Sequence, residues 1–266
     1  MGLLSVNGVK LEYLETGSGV PVVFSHGGAS DIRYWAPQQE AFAAGHRFVA
    51  YSRRFHGTGV WPPAADASPE AHADDLIAIA TQLASGPVHV VGFSTATALI
   101  AAIRAPALFR SLTIFEPNAP SVLTDDGVDH DVQRAWKSAT NRLRKLYGAD
   151  PSLHAEKWFE LVNNRGPGTF ARQPDQFREM WLANFGAKRS PTRGPDLTYD
   201  ALSAITTPTL VMGTEHGMLY SRRIVERVAA GIPDARAVII PSATHFVSHQ
   251  APTVFNETVL DFIAHP

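Results

Sequence analysis

A chain of 266 residues, 45% hydrophobic and 18% charged, is long enough to bury a sizeable core as one α/β domain with an insertion or as two domains. Its net charge of −2 gives no electrostatic reason to expect nucleic acid or an anionic membrane as a partner. The lack of cysteine excludes disulfides, thiolate metal sites and a cysteine nucleophile.

Residues 3–6 and 10–15 alternate apolar and polar on either side of Asn7-Gly8, which predicts an opening β-hairpin. The first residues carry neither a secretion leader nor a myristoylation pattern, and no apolar run approaches the ~20 residues of a membrane span. The expected compartment is therefore the cytoplasm. Val20-Pro21-Val22-Val23-Phe24 reads as a buried strand running into Ser25-His26-Gly27-Gly28-Ala29, a turn whose backbone N–H groups no side chain shields. A helix is expected from Trp35 to Phe42 and a strand from His46 to Tyr51, followed by Ser52-Arg53-Arg54-Phe55-His56-Gly57-Thr58-Gly59.

Ser68-Pro69-Glu70 combines an N-cap, a proline at the first helical position and an acid in the first turn. It predicts a helix with Ala73, Leu76, Ala80 and Leu83 on one face. The β-branched run from Val88 then stops at Gly92-Phe93-Ser94-Thr95-Ala96, and the small and helix-compatible series Ala96, Ala98, Leu99, Ile100, Ala101, Ala102 continues as a helix that ends near Ala105-Pro106. Another strand, Ser111 to Phe115, leads into Glu116-Pro117. Strands alternating with helices imply a mostly parallel sheet, whose ligands bind at the carboxyl ends of the strands.

The alternation breaks there. From about Val128 to Tyr199 the periodicity is helical only, with stripes Val132, Trp136, Ala139, Leu143, Leu146, then Leu153, Trp158, Leu161, Val162, then Phe177, Trp181, Phe185. Gly148-Ala149-Asp150-Pro151 and Gly166-Pro167-Gly168 separate them. The β/α pattern resumes at Pro208 to Gly213, with a helix from about Ser221 to Ala230, a strand from Ala237 to Ile240, Thr244-His245-Phe246, and a last helix from about Pro252. The expected organisation is a core of residues 1–117 and 206–266 with a helical lid of residues 118–205. The aromatics Trp136, Trp158, Phe159, Phe177 and Trp181 belong either to the lid's own core or to a pocket beneath it.

A serine at a sharp strand-to-helix turn has an exposed hydroxyl with a helix N-terminus behind it, which suits a nucleophile. The usual turn reads Gly-x-Ser-x-Gly, and Ala96 replaces the second glycine here; by itself Ser94 reads equally as a helix N-cap. Together with the His26-Gly27-Gly28 turn, the lid and the late His245, however, the chain resembles the α/β-hydrolase superfamily over essentially its whole length and in that family's order. The resemblance implies an α/β-hydrolase fold, a mostly parallel twisted sheet flanked by helices, with Ser94 as nucleophile and His245 as general base. Backbone N–H groups of Thr95 and of Gly28 or Gly27 would form the oxyanion hole.

The acid departs from the common pattern. Gly213-Thr214-Glu215-His216-Gly217 puts Gly217 where an aspartate is usual. Some α/β-hydrolases resembling this chain, zearalenone lactonases among them, carry a glutamate after the earlier strand. Glu116 is accordingly the expected acid, with Glu215 as the alternative. Ser52 and Phe55 also depart from the family's Asp-x-Arg-Gly pattern. Arg54 is read as scaffold, while Arg53 and His56 stay unassigned. The expected pocket residues are His26, Phe93, Trp136, Trp158, Trp181 and Phe246.

These expectations favour a serine hydrolase acting on an ester or lactone of a mostly apolar small molecule. The rival readings are a carbon–carbon bond hydrolase and a non-catalytic ligand-binding protein on the same scaffold. Neither a His-Glu-x-x-His nor a Gly-x4-Gly-Lys-Ser/Thr pattern occurs, so no metal or other cofactor is expected. The expected partner is the substrate alone, in a monomer or homodimer.

Overall fold

The computed structural model describes residues 1–83, 86–124, 127–187 and 197–266. Asn7 and Gly8 both take positive φ (44° and 76°), the backbone of a tight primed turn, and join β1 (Gly2–Val6) to β2 (Val9–Thr16) as the expected hairpin. The strands that follow are β3 (Pro21–Ser25), β4 (Arg47–Tyr51), β5 (Val88–Phe93), β6 (Phe109–Phe115), β7 (Thr209–Thr214) and β8 (Ala235–Ile240). They form one eight-stranded sheet in the order β1-β2-β4-β3-β5-β6-β7-β8. β2 runs antiparallel to β4, and every pairing from β4 onward is parallel.

Every residue of β3, β5 and β7 is buried, as unbroken apolar runs in the middle of a parallel sheet require. On one face the sheet packs against α2 (Pro69–Leu83), α3 (Thr97–Arg104) and α8 (Leu219–Gly231), through Leu76, Ile79, Leu99 and Val228 among others. On the other, Phe24, Trp35, Phe42 and Phe48 close a ring cluster against α1 (Ala36–Ala43) and α10 (Pro252–Ala264). Trp35 is wholly buried, and truncating such a side chain to alanine typically costs about 3–5 kcal/mol. Ser68 caps α2 as expected, its Oγ accepting from the Ala71 N–H at 3.1 Å.

Between β6 and β7 the described residues form no strand. They fold into α4 (Gly127–Tyr147), α5 (Pro151–Asn163), α6 (Asp175–Phe185) and the short α7 (Tyr199–Ser203). Residues 125–126 and 188–196 of the expected lid lie outside the described residues. Asp150 caps α5 by accepting from Ser152 and Leu153. Buried Asp129 ties α4 to Arg223 and Arg227 of α8. The α4 stripe holds only in part: Val132 and Leu143 are buried, but Leu146 is 58% exposed. A 3.6-residue stripe of a long helix outruns the surface beneath it, and its last turn projects into solvent. No helix among the described residues is long and apolar enough to cross a membrane.

Candidate active site

β5 ends at Phe93, and the next residue leaves the sheet sharply. Ser94 has φ +46°, a left-handed conformation that non-glycine residues rarely adopt, and its N–H donates to the Phe115 carbonyl at 2.9 Å. Gly27 gives this turn its room, while Gly92 is less constrained. A Cβ on Gly27 would stand 3.0 Å from Ser94 Cβ and 3.2 Å from the Phe93 carbonyl; one on Gly92 would meet Ala98 Cβ at 3.4 Å. Ala96, in place of the second glycine of the usual motif, lies in the αR region at φ −90°, which needs no glycine.

Glu116 repeats the same device one strand over, with φ +47° and its N–H bonded to the Met212 carbonyl at 2.9 Å. Its carboxylate is completely buried. Oε2 accepts from His245 Nδ1 at 3.0 Å, and Oε1 accepts from Thr214 Oγ1 at 2.9 Å. A donor at Nδ1 leaves Nε2 of the neutral imidazole as the acceptor, the tautomer a general base requires. Among the described residues Ser94 Oγ has no hydrogen-bond partner; it and His245 line one cavity, and such bonds commonly tighten only when substrate is bound.

The loop carrying His245 is fixed from the inserted helices. Thr244 Oγ1 donates to Asn163 Oδ1 at the end of α5, and its N–H donates to Gln250 Oε1. Glu215, the alternative acid, takes no part: its Oε2 accepts from the Ser242 N–H at 2.7 Å, and it does not line the cavity. The geometry thus joins Glu116, not Glu215, to the imidazole.

The cavity has a volume of about 330 Å³. Gly28, Ser94, Thr95, Glu116 and His245 line it from the sheet side, with Phe93 and Phe246, while Trp136, Trp158 and Trp181 close it from the inserted helices. Of the lid aromatics, Phe159 and Phe177 instead stack into the shared core around Phe246. The N–H groups of Gly28 and Thr95 have no acceptor among the described residues, so both are available to a ligand.

Two sequence expectations are corrected. His26 is wholly buried and does not line the cavity: Nε2 accepts from the Arg53 N–H at 2.9 Å, so Nδ1 carries the proton and donates to the Gly27 carbonyl at 2.8 Å. Burial, reinforced by the Arg53 charge, keeps its pKa well below that of a free imidazole. Gly27 is likewise buried behind Ser94, and of the two glycines only Gly28 reaches the cavity. Side-chain direction just past a strand end no longer follows the two-residue period, which is why the sequence placed His26 in the pocket.

Arg54 is scaffold as expected, with its fork on Asp75 at 2.6 and 2.7 Å. Arg53, His56 and His72 line the cavity, and sequence reasoning did not identify them as pocket residues. Burial, with Arg53 and His56 nearby, pushes the His72 pKa down to about 2. Their signal was faint: His72 sits in the first turn of α2, and Arg53 and His56 sit in the loop after β4, both at carboxyl ends of strands or beside them.

The chain is similar to known proteins over nearly its whole length. The chain is 32% identical to a protein of Variovorax paradoxus named "Putative carbamate hydrolase RutD", over 92% of each chain. It superposes on naproxen esterase of Bacillus subtilis with a TM-score of 0.77 at 19% identity, covering 98% of this chain and 90% of that one. It superposes on an enol-lactonase of Burkholderia xenovorans with a TM-score of 0.66 at 20% identity, covering 99% and 100%. The model of the Alpha/beta hydrolase family matches residues 22–258, and the chain belongs to that family.

Proposed function

We propose that this protein is a serine hydrolase that cleaves a carboxylic ester or lactone of a small, mostly apolar molecule through an acyl-enzyme. The observation that carries the reading is the buried Glu116–His245 hydrogen bond at 3.0 Å, on the wall of the cavity that Ser94 also lines. In the proposed mechanism His245 Nε2 takes the proton of Ser94 Oγ as that oxygen attacks the carbonyl. Glu116 holds the tautomer and stabilises the imidazolium that forms. The tetrahedral oxyanion is received by the N–H groups of Gly28 and Thr95, each such donor being typically worth ~10²–10³ in turnover. His245 then protonates the leaving alcohol, and a water activated by the same imidazole releases the acid. The inserted helices α4 to α7 act as the lid, with Trp136, Trp158 and Trp181 setting an aromatic wall that favours apolar substituents.

A second reading, cleavage of a carbamate, is favoured by the 32% identity to the Variovorax relative and would use the same residues. Labelling with a fluorophosphonate probe and turnover of p-nitrophenyl acetate and of simple carbamates test both. Wild type is expected to label, Ser94→Ala to lose labelling and turnover together, and the ester to be turned over faster than the carbamate. Folded wild type that neither labels nor turns over either substrate rejects the catalytic reading.

A further inference from the structure

The Gly27–Gly28 peptide is unusually free, because neither residue has a Cβ to restrict rotation of the plane between them. Turned over, it would present the Gly27 carbonyl oxygen instead of the Gly28 N–H to the place where negative charge develops. In this structure two short bonds hold the carbonyl: Arg53 Nη2 donates to it at 2.8 Å and His26 Nδ1 at 2.8 Å. Ser30 Oγ is a weaker third donor, its one proton shared between this oxygen at 3.3 Å and the Gly28 carbonyl at 3.2 Å. A trans peptide is planar, and its C=O and N–H point in opposite directions, so pinning the oxygen fixes where the Gly28 N–H aims.

Among the three donors only the guanidinium is charged: His26 is kept neutral by burial and Ser30 offers a hydroxyl. Charge-assisted hydrogen bonds are about twice as strong as neutral ones, and a cation at the carbonyl end polarises the whole peptide. The N–H opposite becomes a better donor. Arg53 also fixes the loop through its main chain, its own N–H donating to His26 Nε2 at 2.9 Å.

Resting on the acyl-transfer reading above, we propose that Arg53 is a positioning residue that acts through the Gly27 carbonyl to hold and polarise the Gly28 N–H of the oxyanion hole. Its effect is exerted on the transition state and not on substrate binding, because the peptide it holds serves the charge that develops during attack. An arginine is suited to this place because it stays protonated throughout the working pH range and its planar fork fixes direction, which a lysine ammonium does not.

The test uses the full-length protein and its Arg53→Met and Arg53→Lys variants. Steady-state kinetics with p-nitrophenyl acetate are paired with inhibition by an aryl trifluoromethyl ketone, which forms a hemiketal oxyanion on the serine. For Arg53→Met, kcat is expected to fall ~10–100-fold with KM within about twofold, and ketone affinity to fall by the same factor as kcat/KM. Arg53→Lys is expected to recover part of each loss and, should Arg53→Met not fold, carries the test by itself through a kcat loss at unchanged KM.

A kcat within about twofold of wild type in the folded variant overturns the proposal. So does a rise in KM alone, which would assign Arg53 to substrate binding, or a kcat loss with unchanged ketone affinity. A wild type without Ser94-dependent turnover overturns the acyl-transfer reading and this proposal together, whereas an active wild type with an indifferent Arg53→Met overturns this one only.

Discussion

Glu116 and Gly217 exclude one another as sites for the acid. A Cβ at Gly217 would fall 2.6 Å from Thr214 Oγ1, the hydroxyl that holds the Glu116 carboxylate, and 3.5 Å from Glu116 Oε1. An aspartate at 217 would displace Thr214 and set two carboxylates side by side, where like charge raises the pKa of one of them. The glycine at 217 is thus the space that a glutamate at 116 needs. Glu116→Gln is expected to lower kcat on p-nitrophenyl acetate ~10³–10⁴-fold, the order seen when a triad carboxylate becomes an amide. Glu215→Gln, which only weakens the bond to the Ser242 N–H, is expected to leave kcat near wild type. Equal losses, or the reverse ranking, reject Glu116 as the acid. The sequence left both glutamates open because both follow the carboxyl ends of neighbouring strands. Which one turns inward depends on the left-handed φ at Glu116, and local sequence does not specify that.

At the scale of elements, α6 buries Phe177, Met180 and Trp181 in the core and is tied to the strand-end loops by the polar side chain of Asn184. Asn184 is buried; its Nδ2 donates to Asp31 Oδ2 at 2.7 Å and its Oδ1 accepts from the Gly57 N–H at 3.0 Å. It therefore ties an inserted helix to two loops that follow strands β3 and β4. One turn earlier Trp181 faces the cavity and donates Nε1–H to the Ala155 carbonyl of α5. Asn184→Ala removes a charge-assisted bond to Asp31 Oδ2, which keeps Arg33 Nη2 at 2.7 Å, and the bond to the Gly57 N–H, at a cost of about 1–3 kcal/mol. The expected outcome is a lower melting temperature and a higher KM for bulky aromatic esters such as 2-naphthyl acetate, with kcat for p-nitrophenyl acetate little changed. An unaltered melting temperature and KM would show that α6 is held by its apolar face alone. Periodicity located this helix and its Trp181, because an apolar stripe is a local property. It said nothing of Asn184, whose partners stand 153 and 127 residues away along the chain.

For the molecule as a whole, the order of turns, strands and helices was readable because each strand end carries its own local signal: paired glycines, a serine before small residues, a late histidine. What could not be read was which polar groups the fold would strip of water. Among the described residues several imidazoles are held neutral mainly by burial: His26 and His72 with strongly lowered pKa values, the latter about 2, and His89 and His249 at about 4. His249 donates Nε2–H to the Tyr34 carbonyl at 2.7 Å, and His89 Nδ1 bonds with Ser111 Oγ at 2.7 Å, so each has a built place for the neutral ring. In the unfolded chain these groups take up protons near pH 6.5, whereas in the folded protein His89 and His249 do so only near pH 4 and His72 lower still. Between those limits the unfolded state binds more protons, so stability is fully present above about pH 6.5 and falls as the pH drops toward 4. Each extra proton bound contributes a slope of about 1.4 kcal/mol per pH unit, and several together make the decline steep. Urea unfolding followed by far-ultraviolet circular dichroism at pH 7.5, 6.0, 5.0 and 4.5 is expected to show this loss, and His249→Gln to flatten part of the slope even if it lowers stability at pH 7.5. A stability that is level from pH 7.5 to 4.5 would mean that the buried imidazoles take up protons in the fold as readily as in the unfolded chain, and a protonated His26 could no longer accept the Arg53 N–H.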